Sequence, residues 1–150
     1  SKCGDLNVLG LTIFKCLKEN VFNKEIVKNA LYFMKKRHPL LRAYIIDEFP
    51  DKNVYFFIDN IENSKEVELE WVNISSRNQL NKELENFNQK IFDYKKNCLL
   101  WKCMIIEFAE KNQKMYCLCL NLPLSFTDGM NIVSLLIEMV NIINGIVTKE

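Results

Sequence analysis

The sequence has a single histidine, His38, and only four glycines among its 150 residues. One histidine cannot complete a zinc site that needs several imidazoles, and no Cys-x-x-Cys pair is present to stand in for them. No glycine-rich phosphate-binding loop occurs either. The formal net charge of +1 gives the chain no global field that would attract nucleic acid or anionic lipid. The sequence therefore predicts no metal site and no nucleic-acid partner.

The apolar and charged fractions, 49% and 26%, are typical of a folded globular protein. At this length the chain can form one domain with a substantial core, so a disulfide framework is not needed to stabilise it. Most of the cysteines lie in apolar strand patterns, where a free thiol packs as a small hydrophobe. Cys117 and Cys119 face the same side of one strand, a poor geometry for pairing. We therefore expect reduced thiols and a cytoplasmic protein. The six cysteines are Cys3, Cys16, Cys98, Cys103, Cys117 and Cys119.

The apolar segment from Met130 to Val147 is long enough to raise the question of a membrane span. It contains several polar residues, which would be unfavourable in a helix facing lipid. Four of them recur at three- and four-residue spacing, so they form one polar stripe on a helix. The segment is therefore predicted to be a helix packed on a core, with no membrane span. The stripe consists of Asn131, Ser134, Glu138 and Asn141.

Apolar periodicity predicts the order strand, helix, three strands, helix, two strands, helix. Asn23 caps the first helix, and Pro39 ends it because the residue before a proline avoids the helical region. Ser76 and Gln79 form a capping box for the second helix. This order predicts an α+β (mixed α/β) fold, a single domain over residues 1–150 with one mixed sheet and helices packed on it. The predicted strands are 8–17, 41–46, 54–58, 67–71, 99–108 and 115–122, and the helices are 23–37, 76–91 and 130–147.

Three segments, in this order and spacing, carry a resemblance to a known family. The first is Arg37-His38-Pro39-Leu40-Leu41-Arg42-Ala43-Tyr44, which is similar to an Arg-His-x-x-Leu-Arg motif. The second is Leu100-Trp101-Lys102 after Phe92-Asp93, which is similar to a Pro-Leu-Trp-Arg strand opening. The third is the stretch from Asn121 to Gly129, which has the outline of His-His-x-x-x-Asp-Gly. Together they resemble the amino-terminal half of the chloramphenicol acetyltransferase-like superfamily, which includes CoA-dependent acyltransferases and condensation domains. The resemblance implies half of such a fold.

In that family the second histidine of the signature is the general base, which takes a proton from the attacking hydroxyl, amine or thiol. Here Pro123 and Leu124 stand at the two histidine positions, and neither side chain can exchange a proton. The resemblance therefore implies a degenerate site with no catalytic residue. It also implies that Ser125, Thr127 and His38 are candidates to line a substrate tunnel, although His38 is expected to be a structural histidine at a turn.

The Asp128-Gly129 pair has a structural role in the resemblance rather than a chemical one. The family's aspartate pairs with an arginine that holds the active-site loop, and Arg42 is the favoured partner here, with Arg37 as the alternative. An arginine can form a bidentate bond with a partly buried carboxylate. The open alternative is an ordinary turn before a helix. In either case Gly129 suits a backbone with positive φ.

Relatives in this family have a second, similar half or form oligomers, and they bind substrate between the halves. The resemblance therefore implies a second half-domain or self-association, with an acyl group or another apolar ligand as a candidate occupant. We expect a catalytically degenerate domain that acts in binding or assembly. One alternative is an active acyltransferase that moves an acyl group from a CoA or carrier-protein thioester to a hydroxyl or amine, using a non-standard or externally supplied base. The other is an unrelated α+β interaction module. No permanently bound cofactor is expected, and a CoA thioester would enter only as substrate.

Overall fold

The computed structural model describes residues 7–46, 55–89, 99–128 and 130–149, and the side chains of residues 45, 46, 55, 56, 127 and 128 lie outside that description. The strands are β1 (Asn7–Lys15), β2 (Ala43–Ile46), β3 (Tyr55–Ile58), β4 (Glu68–Asn73), β5 (Lys102–Glu110) and β6 (Gln113–Pro123). The helices are α1 (Lys24–Arg37), α2 (Leu80–Gln89) and α3 (Ile132–Lys149). Short 3₁₀ turns are found at Pro39–Arg42, Ile61–Asn63, Arg77–Gln79 and Leu124–Asp128.

The main sheet is mixed and four-stranded, in the order β1-β6-β5-β4. β6 pairs antiparallel with β1 and β5, whereas β4 and β5 pair in parallel. The predicted mixed sheet with helices is therefore confirmed. The predicted hairpin of β2 and β3 also forms, but as a separate two-stranded sheet. A single bridge between Tyr44 and Leu99 pairs β2 with the segment that leads into β5.

The core lies on both faces of the main sheet, because side chains alternate in direction along each strand. Cys103 and Ile105 of β5 point toward α1 and α3, in the larger cluster. Met104 and Ile106 point the other way, toward α2. All four side chains are at most 1% exposed, so β5 is buried on both faces. This burial explains why β5 and β6 appear in the sequence as nearly continuous apolar runs.

α1 begins and ends where the sequence predicts. The side chain of Asn23 accepts a hydrogen bond from the backbone N–H of Ile26 (3.1 Å), so it is the N-cap. Pro39 opens a 3₁₀ turn instead of continuing the helix. That turn includes Leu41 and Arg42, so the strand predicted from Leu41 is corrected to start at Ala43. The fixed φ of the proline explains the delay, because it holds the first residue of the turn in a helical conformation.

The predicted capping box before α2 is only half formed. The Ser76 side chain makes no cap hydrogen bond, which corrects the prediction. Gln79 does reach back, but its side-chain oxygen accepts from the backbone N–H of Ser75 (2.9 Å). The remaining anchors of α2 are Leu80 and Phe87, which are buried against the sheet. Ile91, predicted for the same apolar stripe, lies outside the described residues.

α3 packs on β1 and α1, and its N-cap is Asn131, whose side-chain oxygen accepts from the backbone N–H of Val133 (2.9 Å). By length and composition this helix could cross a membrane, and 28% of its residues are buried in the fold. Gly10 of β1 allows the close packing, because a Cβ there would lie 2.7 Å from an Ile132 side-chain carbon. Of the predicted polar stripe, Asn131, Ser134 and Asn141 are exposed, whereas the Glu138 side chain is 17% exposed and meets α1.

Candidate functional site

The loop that contains the predicted motif positions begins where β6 ends. Pro123 is the last residue of β6, opposite Asn7 of β1, and it is buried. Leu124 and Ser125 follow in the 3₁₀ turn and are exposed, Leu124 by 44%. Phe126 is 2% exposed, and its carbonyl accepts from the backbone N–H of Met130 (3.0 Å). The loop is therefore anchored at both ends, with the two exposed residues between the anchors.

A buried asparagine supports this loop from the strand side. Asn121 is fully buried, and its side-chain oxygen accepts from Asn7 Nδ2 at 2.6 Å. Asn121 Nδ2 donates to the carbonyl of Phe87 at 3.2 Å, in the last turn of α2. Asn7 Nδ2 also contacts the carbonyl of Asn88 (3.3 Å). Because the last carbonyls of a helix have no partner within it, the two asparagines act as a cap supplied by the sheet.

The single histidine is paired with a carboxylate from another helix. His38 Nε2 lies 2.7 Å from Glu138 Oε2, and Arg37 Nη1 lies 3.0 Å from Glu138 Oε1. The arginine contact is an ion pair without hydrogen-bond geometry, because Oε1 is buried and has no hydrogen bond within the described part of the chain. The contact joins the carboxyl end of α1 to the middle of α3. A partly exposed histidine at the turn after the first helix was predicted, and this is where His38 lies, with its side chain 29% exposed.

Arg42 holds the end of α1. Its Nη1 donates to the carbonyl of Lys35 at 2.5 Å and contacts that of Lys36 at 3.4 Å. Its Nε donates to the carbonyl of Asp59 (2.8 Å), so the guanidinium ties the helix to the segment after β3. A cation at this end of a helix is favourable because the carbonyl dipoles point toward it.

Part of the predicted site lies outside the described residues. This applies to Gly129 and to the side chains of Thr127 and Asp128. The pairing of Asp128 with Arg42 or Arg37 therefore stays a prediction. Both arginines do have partners in the structure, namely the α1 carbonyls for Arg42 and Glu138 for Arg37.

The described cysteines are free thiols, and in two of them, Cys103 and Cys119, the thiolate form is disfavoured. Cys117 and Cys119 are buried with their sulfurs 3.6 Å apart, which is a hydrogen-bond contact and not a covalent one. Burial raises the pKa of the Cys103 thiol, and the hydrogen bond with Cys117, together with burial, raises that of Cys119. Since the thiolate is the nucleophile and the metal ligand, these two side chains are unreactive near neutral pH. No metal-binding group of three or more side chains occurs within the described ranges.

Two contacts with functional relevance were missed in the sequence. Asn121 was part of the motif stretch, but its partners are 34 and 114 residues away. Glu138 was predicted only as a member of the polar stripe on the last helix, whereas it contacts His38, 100 positions earlier. Both signals are single polar residues in apolar surroundings, and such residues require a partner when they are buried.

The sequence matches no family model and no curated protein. The fold is similar to solved structures. A mutant of the starter condensation domain of the rhizomide synthetase RzmA aligns with a TM-score of 0.70 at 11% identity, covering 95% of this chain and 32% of that one. The X-domain from teicoplanin biosynthesis aligns with a TM-score of 0.55 at 19% identity, covering 79% of this chain and 23% of that one. A four-domain nonribosomal peptide synthetase bound to AMP and glycine aligns with a TM-score of 0.60 at 18% identity, covering 81% of this chain and 8% of that one.

This chain spans less than a third of the length of each of these solved structures. The chain has a fold similar to part of a condensation domain.

Proposed function

We propose that this chain is a condensation-domain-like unit that binds another protein segment and does not transfer acyl groups. The observation that carries the proposal is the pair Pro123 and Leu124 at the positions where the resembling family has two histidines. A general base must titrate near the working pH and lie within hydrogen-bond reach of the nucleophile. Leu124 has no such group, and Pro123 has neither a titrating side chain nor a backbone N–H.

The remaining surface of α3 supports a binding role. Val133 and Ile137, one turn apart, are each 58% exposed, and Leu124 precedes them with 44% exposure. Scattered single apolar residues are normal on a surface, but a row of them along one helix face is typical of a contact surface. We propose that Val133 and Ile137 on this face of α3, together with Leu124 in the turn before the helix, contact a second half-domain or another copy of the chain. In one structure with this fold, the X-domain forms a complex with OxyB.

The acyl-transfer part of the proposal can be tested directly. The purified chain is incubated with acetyl-CoA and a small panel of amines and alcohols, and thiol release is followed against a buffer blank. We expect no turnover, and none after Leu124→His, because one imidazole does not restore a tunnel that needs a partner. Thiol release well above the blank by the unmodified chain would contradict the proposal.

The binding part is tested by the mass of the particle in solution. Light scattering over a concentration series measures association of the chain alone and with a candidate second half added. Val133→Ser with Ile137→Ser should weaken any association by at least about tenfold, since each buried apolar side chain contributes about 1.5–3 kcal/mol. The matched control is Leu17→Ser, which replaces an apolar side chain that is 88% exposed on the loop after β1. Equal loss in both variants would rule out a specific contact on α3.

A second candidate, an active acyltransferase with a displaced base, is favoured by one observation. His38 Nε2 lies 2.7 Å from the Glu138 carboxylate, the arrangement in which an acid group orients a histidine that acts as base. In that reading the other ring nitrogen, Nδ1, would accept the proton of the attacking group.

This candidate predicts a different pattern among variants. If the chain does release thiol from acetyl-CoA, His38→Gln should abolish the release and Glu138→Gln should shift its pH profile. Arg37→Ala is the control, because Arg37 contacts the same carboxylate with a side chain that is 65% exposed. Thiol release that survives His38→Gln would eliminate this histidine as the base.

A further inference from the structure

A cavity of about 260 Å³ lies between α1 and the segment that follows β3, away from the motif loop. Its lining includes the apolar side chains of Leu31, Tyr32 and Val67 and the polar side chains of Lys35, Ser64 and Glu66. Known ligand cavities of drug-sized molecules are about 300–1,000 Å³, so this one suits a smaller group.

Lys35 is the unusual member of this lining. Lys35 is only 6% exposed, although lysine is among the residues that are least often buried. The amine donates to Ser64 Oγ at 3.0 Å and to the carbonyl of Lys65 at 2.6 Å. Ser64 Oγ itself donates to the carbonyl of Ile61 at 3.1 Å, so its oxygen is left to accept from the amine.

Two acceptors are what an uncharged amine needs. A neutral Nζ has two N–H groups, which Ser64 and Lys65 satisfy, and one lone pair, which stays available. Within the described ranges no carboxylate lies within ion-pair distance of this amine. Burial lowers the pKa of Lys35, and the positive charge of Arg42 adds to the effect, while Glu66 opposes it. The surroundings therefore favour the nucleophilic form of the amine more than those of a surface lysine do.

We propose that Lys35 is an acylation site for small acyl thioesters that enter this cavity. The amine nitrogen attacks the thioester carbonyl carbon, a carbon–nitrogen bond forms and the carbon–sulfur bond breaks. The proton that the nitrogen loses goes to the departing thiolate, so the products are an amide on Lys35 and a free thiol. No oxidant, metal or further reactant is required. The reaction does not depend on the motif loop or on the binding role proposed above.

The test is a competition between lysines of the same folded molecule. The chain is treated at pH 7.5 with the acetyl thioester of N-acetylcysteamine, digested, and the acetylation rate of each lysine is measured by mass spectrometry. Lys28 is the internal control, because it lines the same cavity but its side chain is 48% exposed and pairs with Glu25. We expect Lys35 to react severalfold faster than Lys28, and the ratio to approach one when the chain is unfolded in urea.

A variant of Glu66 tests whether the charges around Lys35 control the reactivity of its amine. Glu66→Gln removes the carboxylate that favours the charged amine, so it should speed acetylation of Lys35 and leave that of Lys36 unchanged. Glu66 is exposed, so the substitution should not prevent folding. If Lys35 in the folded chain reacts no faster than Lys28, or only after unfolding, the amine is a structural hydrogen-bond donor and the proposal is wrong.

Discussion

Replacing Asn121 by Asp isolates the contribution of the asparagine cap beneath the motif loop. The two side chains have the same shape, so packing is preserved, and an ionised carboxylate would lose only the donor to the Phe87 carbonyl. The new oxygen would face that carbonyl at 3.2 Å. The acceptor for Asn7 would remain.

The expected loss of stability in Asn121→Asp follows from the burial of Asn121, which is 0% exposed. A charged carboxylate at that position would be strongly unfavourable, so the folded state would hold the acid protonated. Keeping an acid of unfolded pKa about 3.9 protonated costs about 1.4 kcal/mol per pH unit above that value, or about 4 kcal/mol at pH 7. The protonated acid can donate to the Phe87 carbonyl, so little further loss is expected.

The direction in which the stability of Asn121→Asp changes with pH also follows from this burial. The variant's acid has a folded pKa raised above its unfolded value, so the variant should match the parent near pH 4 and lose stability as the pH rises. Urea unfolding of both proteins at a series of pH values measures this difference. Asn88→Asp is the control, because Asn88 is exposed and accepts from Asn7 through its side-chain oxygen, which aspartate retains. A variant as stable as the parent at pH 7, or one whose deficit does not change with pH, would refute the proposed cap.

Three further changes test the packing around the site. In a double-mutant cycle of urea unfolding, His38→Ala and Glu138→Gln should show a coupling of about 0.5–3 kcal/mol, the range for residues in direct contact, whereas additive effects would mean that the contact contributes nothing. Trp101→Phe should lower the free energy of unfolding by at least about 1–3 kcal/mol, because it leaves a buried backbone carbonyl without its 2.8 Å donor, and a loss below 0.5 kcal/mol would contradict that bond. Phe87→Ala should cost about 3–5 kcal/mol in thermal or urea unfolding, and the 44%-exposed Phe33→Ala much less, so similar losses would show that α2 is not anchored by Phe87.

The elements could be predicted because their signals are local. Asn23 and Pro39 mark the two ends of α1 within the residues that form it, and the apolar runs of β5 and β6 reflect burial on both faces. The start of β2 could not be predicted well, because the same proline that ends α1 also holds a 3₁₀ turn through Arg42. The separate sheet of β2 and β3 depends on tertiary pairing, which a strand pattern does not contain.

For the candidate site, the sequence predicted which residues occupy the motif positions but not which distant residues they contact. That Pro123 and Leu124 stand where the resembling family has histidines could be seen in the sequence, since it requires no geometry. The role of Glu138 could not, because a polar residue at helical spacing looks the same whether it faces solvent or a histidine 100 residues earlier. The pairing of Asp128 with an arginine stays a prediction, because the Asp128 side chain lies outside the described residues.

The register of β1 on β6 has a consequence for the order of folding. Asn7 lies opposite Pro123, so this pairing closes a loop that includes nearly the whole described chain, whereas β5 and β6 are joined by the two-residue turn Lys111–Asn112. Because the entropy cost of closing a loop rises with its length, the β5–β6 hairpin can form early and β1 joins late. On the ribosome, β1 is made first but must wait for its partner strand, and α3 must wait for β1. The motif loop between β6 and α3 is thus among the last parts of this fold to assemble.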